Sequence, residues 1–228
     1  MKKALLLAVV ACLLILLSPM LVDGEITGNV SVGEDLFVTY EFKGLEQSIY
    51  DQAKLQFTAN RIPDIIVNNY MQKNQTVGAR ALPLDPDDAS RTIRNSFYLG
   101  GSAIVSFTVN KTTLKRVYEV KTDWRKFKVN LTDGYSIDFA QLAAEPVADW
   151  QKPDDTTFHL ENSDTGSLDV LSFNIVLPSS ASAVRAEQDT IFFEMPPYAE
   201  DILLGTPFLI LIALAVALVI ILLYRKAR

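Results

Sequence analysis

Few residues in this chain could carry chemistry, and their spacing narrows them further. His159 is the only histidine. A Ser-His-Asp relay would have to run through it, since general-base work falls most often to imidazole. It stands in Thr157-Phe158-His159-Leu160, a strand-like run, and no G-x-S-x-G elbow accompanies it. A two-histidine zinc site is excluded by count. The single cysteine, Cys12, lies in an apolar N-terminal run. The remainder of the chain therefore has no thiol for catalysis, for zinc or iron–sulfur ligation, or for disulfides. His159 reads as an ordinary strand residue, and no catalytic residue is assigned.

Two acidic stretches, Asp85-Pro86-Asp87-Asp88 and Asp149 with Asp154-Asp155, offer the oxygen ligands that Ca²⁺ takes. Neither has the alternating ligands, glycine and terminal glutamate of an EF-hand loop, and Asp-rich segments are also good turn formers. No metal or cofactor site is assigned. Carboxylate pairs for glycoside hydrolysis are distant in sequence, so none can be picked out of a chain this acidic. Lys111, Lys115, Arg116, Lys121, Arg125, Lys126 and Lys128 interleave with Tyr118, Trp124 and Phe127. Such a cluster could meet an anionic polymer, a lipid headgroup or a partner's acidic face. Strand alternation, however, sets Lys115 and Lys121 opposite Arg116, and Arg125 opposite Lys126 and Lys128. Charged strands that resist edge pairing are the simpler reading.

Four N-x-S/T sequons stand at Asn29, Asn74, Asn110 and Asn130. Composition predicts roughly one by chance, so four point to an N-glycosylated surface protein.

The elements that must position these residues are bounded by two apolar runs. Ile202–Tyr224 is uncharged and is followed by Arg225, Lys226 and Arg228. A helix of that length covers roughly 35 Å, enough for a hydrocarbon core of about 30 Å. At the other end Lys2-Lys3, the apolar run Ala4–Leu17, Ser18-Pro19 and small residues before Glu25 describe a secretory signal peptide. An uncleaved signal anchor is the alternative. With basic residues inside, the expected order is signal peptide 1–24, extracytoplasmic domain 25–194, juxtamembrane linker 195–201, transmembrane helix 202–224 and cytoplasmic tail 225–228. The chain has 27 acids and 21 Lys plus Arg, and residues 25–201 keep 26 and 16 of them, a net charge near −10. That field argues against nucleic acid as a partner. The expected partners are the membrane itself and an envelope or membrane protein, with any small ligand undefined.

Within the domain, Glu25–Val32 and Asp35–Lys43 predict a hairpin through a Gly33-Glu34 type II′ turn. Leu45–Asn60 has apolar residues every four positions, and a second helix is expected from Pro63. Lys73–Ser90 reads as a polar connector. Ile93–Leu99, Ala103–Asn110, Leu114–Thr122, Trp124–Asn130, Ser136–Phe139, Thr156–Glu161, Leu168–Leu177 and Thr190–Glu194 read as strands, and Leu142–Trp150 as a possible short helix. The expected class is α+β, a largely antiparallel sheet with two early helices on one face and one C-terminal transmembrane helix. An all-β sandwich is the alternative.

Leu168–Pro178, Ala183-Val184 and Ile191–Pro196 form a strand-loop-strand ahead of the apolar run. With the leader, single span and short basic end, this layout resembles uncharacterised archaeal single-pass surface ectodomain proteins. Thr206-Pro207-Phe208 also resembles, loosely, the tripeptide of archaeal sorting signals, in which the span is processed away. The resemblance implies a cell-membrane ectodomain and transfers no functional residue. The expected role is non-enzymatic, structural or partner-binding at the cell surface. The alternatives are a carboxylate-dependent glycan hydrolase and a ligand- or metal-sensing accessory subunit.

Overall fold

The computed structural model describes residues 24–162, 169–203 and 206–226. The signal peptide expected at 1–24 therefore lies, apart from Gly24, outside the described residues.

Strands β1 (Gly24–Val32) and β2 (Leu36–Lys43) form the expected hairpin. Gly33 does not take the positive φ that a type II′ turn requires, and a three-residue loop closed by Gly33 N–H on Asp35 O replaces it. Gly44, at φ 62°, ends β2 in the left-handed region. Helices α1 (Gln47–Gln56) and α2 (Arg61–Gln72) follow. Ile62, Ile66 and Tyr70 bury the apolar face of α2, and Pro63 stands in its first turn, where no intrahelical N–H bond is lost.

The presumed connector 73–90 holds two more strands, β3 (Gly78–Ala81) and β4 (Asp85–Asp87). They lie end to end along β5 (Thr92–Gly100). Pro83 and Pro86 obscure this pairing in the sequence, yet proline is tolerated on an edge strand whose outer side needs no donor. Next come β6 (Val105–Val109) and β7 (Arg116–Lys121). The strand expected at Trp124–Asn130 is instead a 3₁₀ turn, Asp123–Arg125, followed by a short β8 (Lys128–Asn130). β9 (Ser136–Asp138) pairs with β8, and α3 (Phe139–Leu142) and a second 3₁₀ turn, Val147–Asp149, fill the ambiguous region. β10 (Gln151–Asp154), β11 (Thr157–Asn162), β12 (Asp169–Val176), β13 (Ser182–Glu187) and β14 (Thr190–Met195) complete the domain.

Among the described residues the large sheet has eight strands in the order β10-β11-β12-β1-β2-β5-β3, with β4 also on β5. Only β1 with β12 is parallel. A four-stranded antiparallel sheet runs β13-β14-β7-β6. The fold is thus mixed α+β with mostly antiparallel sheets and few helices. Alternation aims Leu36, Val38, Tyr40 and Phe42 of β2 into the core, all fully buried, and leaves Phe37, Thr39, Glu41 and Lys43 half-exposed on the other face. The rings of Phe42, Phe97, Phe127, Phe139 and Phe173 surround Tyr40 with centroids 4.9–6.5 Å away. This aromatic cluster joins the large sheet to the β8–α3 segment. Helix α1 ends against the same face, where Phe57 meets Phe42 edge-on at 6.0 Å and Asn95 donates to Ala59 O at 3.0 Å.

Two helices close the chain, α4 (Ala199–Leu203) and α5 (Thr206–Lys226). Along α5 the exposed apolar side chains range from Ile212 at 44% to Leu211 and Leu214 at 64% accessible. Among the described residues no helix is long and apolar enough to cross a membrane. A C-terminal helix is therefore observed, and the membrane crossing expected of Ile202–Tyr224 is not.

Candidate functional site

His159 lies on the half-exposed face of the large sheet. Its Nδ1–H donates to Asn174 Oδ1 at 2.8 Å, and Asn174 in turn donates to Asn29 Oδ1 at 3.1 Å. These three residues face one another across β11, β12 and β1. The row continues with Thr39 of β2, opposite Asn29, whose hydroxyl meets that of Ser96 on β5 at 3.0 Å. Cross-strand pairing of this kind stabilises a sheet surface. It also occupies the imidazole with an amide rather than with a nucleophile.

The acidic stretches are taken up locally. Asp85 pairs with Arg94. Asp87 accepts from Ala89 N–H at 2.9 Å and from the Ser90 hydroxyl at 2.7 Å. Asp88 accepts from Lys54 Nζ and from the Tyr50 hydroxyl, and these hold its carboxyl below the usual range, Lys54 most strongly. Asp154 closes a turn on Thr156 and Thr157. Among the described residues no group of three or more His, Cys, Asp or Glu is arranged to hold a metal ion.

The basic cluster is dispersed by the fold. Lys115 pairs with Glu194 at 2.8 Å, and Arg116 with Asp201. Arg125, charged but fully buried, is the least expected. Its guanidinium donates to Thr122 O and Oγ1, to Glu145 O and to Asp189 Oδ1, and lies 5.0 Å from the centre of the Trp150 ring. Lys126 reaches the other Asp189 oxygen at 2.7 Å. Burial alone would raise the Asp189 carboxyl, but Lys126 and Arg125 outweigh it and hold the group low. The period-2 pattern assigned this stretch to a strand, and the 3₁₀ turn at Asp123–Arg125 instead turns Arg125 inward. No signal in the sequence ties Arg125 to Asp189, 64 positions later.

Among the described residues, one concave feature lies at an end of the large sheet. An open groove of about 740 Å³ is lined by Glu34, Asp35, Thr76, Gly78, Ala79, Arg80, Tyr98, Gly100 and Gly101. The β1–β2 loop supplies the two carboxylates. A Cβ on Gly100 would lie 1.9 Å from Asp35 Oδ1, and one on Gly101, at φ +119°, 2.9 Å from Thr76 O. These glycines let the loop and the start of β3 close over the end of β5. Arg80 stacks on Tyr98 with its guanidinium carbon 4.6 Å from the ring centre. Among the described residues Glu34, Asp35 and Arg80 have no ion-pair partner. Leu82 N–H bonds to Ser96 O. By the alternation of an antiparallel ladder, the backbone groups of Ala79 and Ala81 then point away from β5. The groove combines an open strand edge, two carboxylates from one turn and a guanidinium on an aromatic face. That set can recognise a polar or extended ligand. It lacks the opposed carboxylates that acid–base hydrolysis needs.

The chain leaves the domain at this end. Glu34 and Gly33 share a small recess with Tyr118, Phe193, Met195 and Tyr198. Arg116, about nine-tenths buried, donates to both Asp201 oxygens at 2.6 and 3.2 Å. Its guanidinium carbon lies 4.0 Å from the Tyr198 ring centre and 4.7 Å from that of Phe107. Asp201 also accepts from Tyr198 N–H at 3.1 Å. The segment read as a linker is thus fastened to β7 immediately before α5.

All four sequon asparagines are exposed. Asn29 is mid-strand in β1, Asn74 follows α2 at φ 56°, and Asn130 ends β8. Asn110 opens the β6–β7 turn, accepting from Thr112 and Thr113 N–H at 2.9 and 3.1 Å. Comparison with known proteins finds no matching family model, no matching curated protein and no matching solved structure.

Proposed function

We propose that this chain is a membrane-anchored, N-glycosylated extracytoplasmic domain whose role is to bind a partner at the membrane surface rather than to catalyse a reaction. The observation that carries the reading is the exposed helix α5 behind a domain locked to its approach by Arg116 and Asp201. Leu209, Ile210, Leu211 and Ile212 are consecutive and all exposed, so they cover every side of one helical turn. A helix apolar all round belongs in a protein core or in lipid. Since no described helix is long and apolar enough to cross on its own, the length comes from the sequence: the uncharged run Ile202–Tyr224 would cover roughly 35 Å as one helix, against a hydrocarbon core of about 30 Å.

The partner site is the groove beside β3. An extended segment of an envelope or membrane protein adds to the open edge at Ala79–Ala81, and Glu34 and Asp35 favour basic residues in it. The glycan-hydrolase and metal-sensing alternatives draw no comparable support, since the groove's two carboxylates come from one turn. Two measurements test the reading. Alkaline carbonate should leave the protein with the membrane pellet, and release into the supernatant would refute the anchor. A photo-cross-linker at Ala79 should give one discrete adduct in native membranes that a cross-linker at Leu55, on the exposed face of α1, does not. Identical adduct patterns at the two positions, or none at either, would refute the groove as the partner site.

A further inference from the structure

Four exposed apolar side chains gather where the chain leaves the domain. Phe107 is 48% accessible, Val109 38%, Tyr198 37% and Ile202 45%. They come from two separate parts of the chain and meet around one residue. Val109 faces Arg116 across the β6–β7 ladder, Phe107 and Tyr198 hold its guanidinium between their rings, and Ile202 follows Asp201, which binds it. Elsewhere this parity of the small sheet points into the core, where Tyr118, Val120 and Phe193 are buried. At this end the sheet outruns the core, and its inner face is left facing out.

We infer that Phe107, Val109, Tyr198 and Ile202 form a lipid-contacting patch that seats the domain in the headgroup layer of the bilayer entered by α5. This rests on the membrane-spanning reading of α5. Distance supplies the argument. From Ile202 to Thr206, the first residue of α5, the chain reaches at most about 14 Å even when fully extended. The polar layer on each side of a bilayer is about 5–8 Å thick, the difference between a hydrocarbon core of about 30 Å and a total of about 40–45 Å. With the span filling the core, that reach exceeds the polar layer by only about 6–9 Å, so the patch is held beside the headgroups and its exposed apolar rings favour settling into them. Aromatic rings are the side chains that settle at that depth. Exposed Lys111, in the adjoining turn, adds a cation at phosphate level in a domain that is otherwise acidic.

The Arg116–Asp201 pair then sets orientation. It fastens the patch to the chain on the way into the membrane, so the large sheet keeps one end, the end with the groove, toward the lipid. An extended ligand in that groove would be offered at the membrane surface.

The test uses the full chain in phosphatidylcholine vesicles carrying a spin-labelled lipid with its quencher high on the acyl chain. Native Trp124 and Trp150 are only 3% and 5% accessible, so they give a low, constant background. Phe107→Trp should be quenched at least about twofold more strongly than Leu55→Trp, which is 87% accessible on α1, as expected of a ring at the acyl boundary. Val109→Trp serves as a second position should Phe107→Trp fold poorly. Retention in carbonate with neither patch variant quenched beyond Leu55→Trp overturns the patch and leaves the span standing. Release by carbonate overturns the span and the patch together.

Discussion

Removing the Asp189 carboxylate should unlock the domain from inside. Arg125 has no exposure to solvent, and Asp189 is the only carboxylate described as bonded to it. In Asp189→Ala the guanidinium keeps its bonds to Thr122 and Glu145 but loses its countercharge, and Lys126 loses its partner as well. Breaking a buried pair from one side costs about 3–5 kcal/mol, because the remaining charge stays desolvated. The Asp189 side chain is 25% accessible, so the lower end, about 3 kcal/mol, applies. For a domain of this size that lowers the melting temperature by about 6–12 °C. Tryptophan fluorescence during thermal unfolding of the full chain in detergent reads the site directly, since Trp150 stacks on Arg125 and Trp124 adjoins it in sequence. Raising the salt concentration should not reproduce the loss, because a buried pair is screened little. The double variant Asp189→Ala with Arg125→Met should recover part of the stability by removing the stranded charge. A shift under about 2 °C in the single variant would show that Arg125 is not held as the structure has it.

Three further outcomes rest on the same structure. The carboxyls of Glu25, Asp87, Asp88, Asp154, Asp189 and Asp201 are all held below their usual range by hydrogen bonds and cations, so their stabilisation is full above about pH 4 and is lost as pH falls through the lower folded values. Burial, then Asp88, pushes the Tyr50 hydroxyl up to about 12, and burial also raises Tyr40 and Tyr70, so stability should fall again above about pH 10 as the unfolded chain ionises first. A melting temperature flat from pH 5 to 8 and declining on both sides checks both limbs, and a rise below pH 4 would contradict the carboxylate assignment. Gly28→Ala should cost about 1–3 kcal/mol by overpacking, because its Cβ would lie 2.3 Å from Cδ2 of the buried Phe173 ring; denaturant unfolding measures it, and pairing with Phe173→Leu should restore part. Site-by-site mass spectrometry should find higher glycan occupancy at Asn74, exposed in the turn after α2, than at Asn130, where Leu131 and Thr132 are buried and the Thr132 hydroxyl accepts from Tyr135 N–H.

Much of the framework was legible because period and turn residues act locally. The β1–β2 hairpin, α2, β5, β7, β11, β12 and β14 all lie where alternation or four-residue spacing put them. The misses share a cause. β4 carries Pro86, Pro83 separates it from β3, both strands are short and mostly exposed, and β13 is largely exposed. Edge strands are held by a neighbour's hydrogen bonds rather than by a buried side-chain pattern, so the pattern is weak. The groove was not legible at all, since it is made by a loop at 34–35, the start of β3 and the end of β5. The parallel pairing of β1 with β12, about 145 positions apart, likewise leaves no local trace.

The sequence by itself determined composition-level facts: an acidic, cysteine-free domain with one histidine, four sequons and an uncharged C-terminal run. Those depend only on which residues are present and how they repeat. Tertiary structure decided what the charges are for. Arg125 reads as one of seven surface cations until a 3₁₀ turn points it at Asp189, and Arg116 reads the same way until Asp201 and two aromatic rings enclose it. Charge becomes meaningful only through distance and burial, because the interaction of two ions depends on their separation and on the dielectric between them. Neither quantity is written along the chain.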